Sequence, residues 1–130
     1  MKILITGHRG FIASNLTPAF NDLFHEVIDP SQLRLTHRLS TGEHCVYRNS
    51  EDDWSREIKR LGIDVVVHNA AAVGTDVVAL NPSEATLSNV SGTYSISRAA
   101  EKAGAAVLFL GTTVIYNTDL YQGSWIAERS

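Results

Sequence analysis

The chain has 130 residues, 44% hydrophobic and 19% charged, the balance of one ordinary globular domain large enough to bury a core. Its net charge of −3 and pI near 5.9 offer nothing that would recruit nucleic acid or an anionic membrane. The one cysteine, Cys45, excludes an intrachain disulfide. With a glycine as early as Gly7 and no apolar run near the roughly 20 residues of a membrane span, the expectation is a cytoplasmic domain with no signal peptide.

In chain order, Ile3 to Thr6 reads as a buried strand. The residues after it open a helix in which Phe11, Ile12, Leu16, Phe20 and Leu23 share a face. Pro18 lies inside that pattern and predicts a kink or an early end, since a mid-helix proline costs about 3 kcal/mol. Glu26 to Asp29 reads as a second strand ended by Pro30, and residues 30–43 are polar and without a period. His44 to Tyr47 reads as a weak third strand, followed by a helix from about Asp52 to Leu61. The β-branched run in Ile63-Asp64-Val65-Val66-Val67-His68 marks a central parallel strand covered on both faces. Asn81-Pro82-Ser83-Glu84 supplies a cap and a first-turn proline for a helix that runs to about Ala103 and ends at Gly104. Ala105 to Leu110 is then a fifth strand, and from Gly111 the chain is polar and irregular to Ser130.

Strands alternating with helices imply βαβ units with right-handed crossovers. The expected fold is α/β, a Rossmann-type doubly wound parallel sheet in the order 3-2-1-4-5, truncated after the fifth strand. A ligand cleft belongs where the winding reverses, between strands one and four at their carboxyl ends.

The strongest chemical signal is Thr6-Gly7-His8-Arg9-Gly10-Phe11-Ile12-Ala13, set between the first strand and the first helix. Gly7 permits a sharp turn, Gly10 lets a pyrophosphate approach the backbone, and Ala13 lets the helix pack on the strand. The N–H groups of the helix start, with its dipole, then meet the phosphates. Turns with two glycines are common, but the strand before and the helix after favour the nucleotide reading. Asp29 ends the second strand, where a carboxylate can accept from the adenosine ribose hydroxyls and repel a 2′-phosphate, which favours NAD. The plain alternative is an Asp-Pro turn. Arg9 argues the other way, because its guanidinium could pair with the 2′-phosphate of NADP.

The remaining residues carry less. The five histidines, His8, His25, His37, His44 and His68, show no ligand spacing, so no metal is expected. His68 reads as a strand-end residue lining the cleft, Cys45 as buried and inert, and Trp54 and Trp125 as packing residues. Glu51-Asp52-Asp53 reads as charge favourable to a helix N-terminus.

On these residues the whole chain resembles the extended short-chain dehydrogenase/reductases, the NAD(P)-dependent epimerase/dehydratase family that modifies nucleotide sugars. The family's T-G-x-x-G-F-I-x loop is matched at Thr6 to Ala13, with Ala13 in place of the usual last glycine. Its D-x-x-x-H-x-A-A motif is matched by Asp64, His68, Ala70 and Ala71, and its N-x-x-G-T by Asn89, Gly92 and Thr93. The resemblance implies that Gly7, Arg9, Gly10, Phe11, Ile12, Asp29, Ala70, Ala71, Ala72 and Asn89 belong to the cofactor site. It places Asn49 where the family has an aspartate that bonds the adenine amine. It gives Thr112, in Gly111-Thr112-Thr113-Val114-Ile115-Tyr116, the place of the catalytic hydroxyl. Gly7 to Gly10, Ala71 to Gly74 and Leu108 to Gly111 further resemble the NADPH-using GDP-fucose synthase subfamily.

The family's general acid/base is a tyrosine in Y-x-x-x-K, beyond the Thr112 position. Tyr116 and Tyr121 have no lysine four residues on, and no lysine follows Lys102. The expectation is therefore a single cofactor-binding domain over residues 1–130, the front part of such an enzyme or a truncated relative. Its implied partners are NAD, or alternatively NADP, and a nucleotide sugar in a full-length relative. The exposed edge beyond the fifth strand favours self-association into a homo-oligomer unless another chain covers it.

Overall fold

The computed structural model describes residues 1–111. A parallel sheet is built from β1 (Lys2–Thr6), β2 (Glu26–Val27), β3 (Val65–His68) and β4 (Ala106–Phe109) in the order β2-β1-β3-β4. The helices are α1 (Phe11–Asp22), α2 (Glu51–Leu61), α3 (Thr75–Leu80), α4 (Pro82–Thr86) and α5 (Gly92–Ala103).

Register explains the two-sided core. Leu4 pairs with Val66, and both face α2 and α5, where they meet Trp54, Ile58, Ile96 and Ala99. Ile3, Ile5 and Val67 point the other way and pack on Ala13 of α1, with Leu16 and Phe20 beside them. Alternate residues of a strand leave by opposite faces, so the apolar run of β3 is buried on both sides as its composition predicts. Of the expected α1 face, Phe11 and Leu23 are instead exposed, at 85% and 66%. Phe11 and Ile12 lie at the rim of a cleft, so they escape the core.

Three expectations need correction. The third strand at His44 to Tyr47 is not formed, and the sheet order is 2-1-3-4 rather than 3-2-1-4-5. The expected fourth and fifth strands are thus β3 and β4, and the winding still reverses between β1 and β3. His44 instead pairs antiparallel with Arg38, and the N–H of Cys45 donates to the His37 carbonyl at 2.9 Å. The segment bonds back on its own chain, so nothing remains to ladder onto β2.

The second correction concerns α1, which runs through Pro18 to Asp22. Pro18 and Ser14 are both exposed, so the Ser14 carbonyl that the proline cannot bond is open to water. The third concerns the long helix after Asn81. It begins as expected, with Asn81 capping the Glu84 N–H and Pro82 in the first turn, but Leu87–Ser91 forms a π-helical turn between α4 and α5. Helix α3 carried no usable period. It is six residues long, and Val77 and Leu80 are exposed.

Candidate functional site

At the carboxyl ends of β1 and β3 lies a cleft of about 430 Å³, lined by Gly7, Gly10, Phe11, Ile12, Ala70 and Ala71 from the sequence expectation. Leu39, Glu43, His44, Cys45, Val46, Tyr47, Asn69, Val73 and Ser88 complete it.

The glycine turn is required by two constraints. Gly7 has φ +68°, and a Cβ there would sit 3.0 Å from the Cα of Ala70, so the turn and the end of β3 touch backbone to backbone. A Cβ on Gly10 would come within 3.2 Å of the Gly7 carbonyl. The N–H of Gly10 donates to that carbonyl at 3.0 Å and closes the turn. Gly10 is also the N-cap of α1, and no side chain caps the helix and no acidic residue stands in its first turn. The opening N–H groups of α1 therefore face the cleft with the positive end of the helix dipole behind them.

The facing wall is fixed by a hydrogen-bond chain. The Thr6 hydroxyl accepts from the N–H groups of Asn69 and Ala70, both at 3.1 Å. Its own O–H is then left for His68 Nδ1 at 2.8 Å, so Nε2 carries the imidazole proton and donates to the Thr93 hydroxyl at 3.0 Å. Thr93 in turn donates to the Asn89 carbonyl at 2.7 Å. His68 is 2% exposed, and burial pushes its pKa below the ordinary 6.5 and keeps it neutral. Asn89 sits in the π turn, where its amide accepts from the Ala72 N–H at 2.7 Å and donates to the Ala72 carbonyl at 3.0 Å. Ala72 and Asn89 thus brace the cleft wall.

Residues 37–45 form the third side. Asn49 is 2% exposed; its Oδ1 accepts from the His37 N–H, and its Nδ2 donates to the His37 and Cys45 carbonyls. The structure makes Asn49 a pin of this turn, with both amide donors engaged by backbone carbonyls. The tip of the turn reaches the glycine loop. Glu43 Oε1 accepts from the Arg9 N–H at 3.1 Å, and the Arg9 guanidinium donates to the Thr41 carbonyl. Trp54 donates its indole N–H to the Val46 carbonyl, and Glu57, paired with Arg60, accepts from the Arg34 N–H at 2.7 Å. The Arg60 guanidinium and then the Arg34 N–H hold the Glu57 carboxyl below its ordinary pKa against the opposing effect of burial.

Asp29 is exposed two residues beyond β2, where its Oδ1 accepts from the Ser31 N–H at 2.9 Å and caps the 3-10 turn Pro30–Gln32. That bond, with a smaller pull from His8, holds its pKa below 3.8 and keeps it ionised. Neither Asp29 nor Arg9 lines the cleft itself. Cys45 is free and buried, and among the described residues no three histidine, cysteine or acidic side chains cluster for a metal. Thr112, like Trp125, lies outside the described residues. Sequence reasoning missed Glu43 and Leu39, whose aperiodic surroundings carry no signal. It also missed the linking role of Thr6, Thr93 and His68, which needs the β1–β3 register to be visible.

A parallel α/β sheet with a glycine turn and an open helix start at its switch point defines a Rossmann-like nucleotide fold. Within that class the chain belongs to the NAD dependent epimerase/dehydratase family, whose model matches residues 3–126. Among solved structures it is similar to UDP-glucose-4-epimerase from Stenotrophomonas maltophila with bound NAD and formylated UDP-arabinopyranose. There the identity is 22% and the TM-score 0.66, over 88% of this chain and 38% of that one. It is similar to dTDP-4-dehydrorhamnose reductase from Yersinia enterocolitica at 27% identity and TM-score 0.65, over 91% of this chain and 37% of that one. A third is dTDP-4-dehydrorhamnose reductase from Bacillus anthracis in complex with NADP, at 17% identity and TM-score 0.62, over 82% and 34%. The chain thus spans little more than a third of these structures. Among curated proteins none matches. No helix among the described residues is long and apolar enough to cross a membrane.

Proposed function

We propose that the cleft binds the ADP portion of NAD. On this reading residues 1–130 are the cofactor-binding part of an NAD(P)-dependent epimerase, dehydratase or reductase acting on a nucleotide sugar. The observation that carries it is the uncapped start of α1, opening beside two glycines whose missing Cβ atoms leave the backbone bare. The N–H groups of Phe11 and Ile12 hold the pyrophosphate, and Asp29 accepts from the adenosine ribose with its remaining carboxylate oxygen. Ala70, Ala71 and Ala72 form the wall, and Asn89 holds that wall in place. NAD is favoured over NADP because Asp29 is an ionised carboxylate and the Arg9 guanidinium is turned to the Thr41 carbonyl.

The bound nicotinamide supplies hydride transfer. This chain's part is to hold and orient it, with Thr112 aligning a substrate hydroxyl. A threonine hydroxyl does not take a proton at neutral pH, and general acid/base help is worth about 10²–10⁴-fold. The 130-residue chain alone therefore binds without turning over. Absorbance at 340 nm with NADH and 4-keto nucleotide sugars checks this, with product analysis for epimerisation that leaves the cofactor unchanged. Turnover would show that the catalytic residues are misassigned.

Calorimetry with NAD tests the binding claim. Gly10→Val places a branched side chain where the pyrophosphate approaches, and affinity falls more than about tenfold, or about 1.4 kcal/mol, while the fold survives. Unchanged affinity in a folded variant removes the loop assignment.

A further inference from the structure

The contact between the 37–45 turn and the glycine loop has a consequence for which cofactor enters. The Glu43 carboxylate accepts from the Arg9 N–H through Oε1, lies 3.8 Å from His8 Nδ1, and takes the Thr41 hydroxyl on Oε2 at 3.3 Å. Its side chain is 18% exposed, and it lines the same cleft as Gly10 and Phe11. The Arg9 guanidinium, the cation nearest a 2′-phosphate by sequence, donates to the Thr41 carbonyl of the same turn. One turn therefore does two things at once. It turns Arg9 away and places a carboxylate against the backbone that Arg9 would otherwise make attractive to an anion.

We propose that Glu43 is a specificity-determining residue that selects NAD against NADP at this cleft. The inference rests on reading the cleft as a dinucleotide site. His8 is near both carboxylates: it lies 3.8 Å from Glu43 and pulls the pKa of Asp29 down. A 2′-phosphate arriving beside Asp29 would meet the field of a second carboxylate near the same histidine, whereas a bare ribose presents hydroxyls that a carboxylate accepts from. Repulsion between one carboxylate and a phosphate bearing about −1.5 to −2 charges, across a water-exposed rim, corresponds to about fivefold in relative affinity. Being electrostatic and near the surface, it weakens with salt.

The test is calorimetric titration of the chain with NAD and with NADP, at low and at high salt, for the parent and for Glu43→Gln. The glutamine keeps an acceptor for the Arg9 N–H and removes the charge, its NH2 donating to the Thr41 hydroxyl instead of accepting from it. The parent is expected to bind NAD more tightly than NADP. The variant is expected to narrow that ratio about fivefold at low salt and less at high salt. Glu43→Lys, which puts a cation at the same place, is expected to make NADP the tighter ligand. If both variants bind NAD with the parental NAD to NADP ratio, Glu43 does not select and the inference fails, while the dinucleotide site stands. If the folded parent binds neither cofactor, the site assignment fails and this inference fails with it.

Discussion

The two segments that meet over the cleft are specified in opposite ways. The glycine loop between β1 and α1 is determined by its own residues. Gly7 must be glycine at φ +68°, Gly10 closes the turn on Gly7, and Ala13 is fully buried on the strand. The 37–45 turn also closes on itself, with the Leu39 N–H on the Glu43 carbonyl and the Cys45 N–H on the His37 carbonyl, but its place over the cleft is set from outside. It is anchored by groups outside it: Asn49 through its amide and Arg9 through both backbone and side chain, while the Trp54 indole holds the adjoining Val46 carbonyl. Local specification can be read from a string of residues, and remote pinning cannot.

The sharpest way to break the comparison is at Gly7. Gly7→Val adds a left-handed backbone penalty to a 3.0 Å collision with Ala70, together about 2–5 kcal/mol of stability. Urea unfolding measures it, and a loss below about 1 kcal/mol would mean that the loop can relax away from β3. Asn49→Ala attacks the remote pin instead. It leaves the His37 N–H without its acceptor and takes one of two donors from each of the His37 and Cys45 carbonyls, at an expected cost of about 1–3 kcal/mol. Because the cleft loses its third side, cofactor affinity is expected to fall with stability.

A pH series sharpens the account of the wall. The folded pKa of His68 is lowered by burial, so between its folded and unfolded values the unfolded chain holds a proton that the folded chain does not. Stability is then fully present above about pH 6.5 and is lost as pH falls through the folded value. His44 is shifted in the same direction, first by burial, so the readout is the difference between parent and His68→Asn across about pH 7.5 to 5.5. The variant should show the shallower slope, and equal slopes would place the pH sensitivity elsewhere.

The smallest effect lies at the far end of α1, where the local rule is broken. Phe24 adopts φ +63° while 96% exposed, and the His25 N–H bonds back to the Phe20 carbonyl in the manner of a glycine-terminated helix. Phe24→Gly is expected to add about 1 kcal/mol in thermal or urea unfolding.

What was legible in the sequence follows the same division. The strand-turn-helix at Ile3 to Ala13, the β-branched β3 and the Asn81-Pro82 helix start each carry their signal in adjacent residues, and the structure places all three as read. The third strand was misread because His44-Cys45-Val46-Tyr47 has the apolar character of a buried segment. Cys45 and Val46 are indeed buried, but against side chains rather than in a ladder. The π turn at Asn89 went unseen for a related reason. Asn89 within it bonds Ala72 behind the cleft wall, and no window along the helix contains that partner. Glu43 was invisible on every local criterion, yet it touches the most recognisable motif in the chain.

The central claim is that the open start of α1, at the β1–β3 switch point, is where a dinucleotide binds. Backbone amide chemical shifts recorded while NAD is titrated into the isotope-labelled chain test it most directly. The account predicts that the largest shifts fall on Gly10, Phe11 and Ile12, with Ala70 and Ala71 following on the facing wall and little change at the opposite ends of the strands. Binding that leaves those amides unmoved, or a titration with no response from the folded chain, would contradict it.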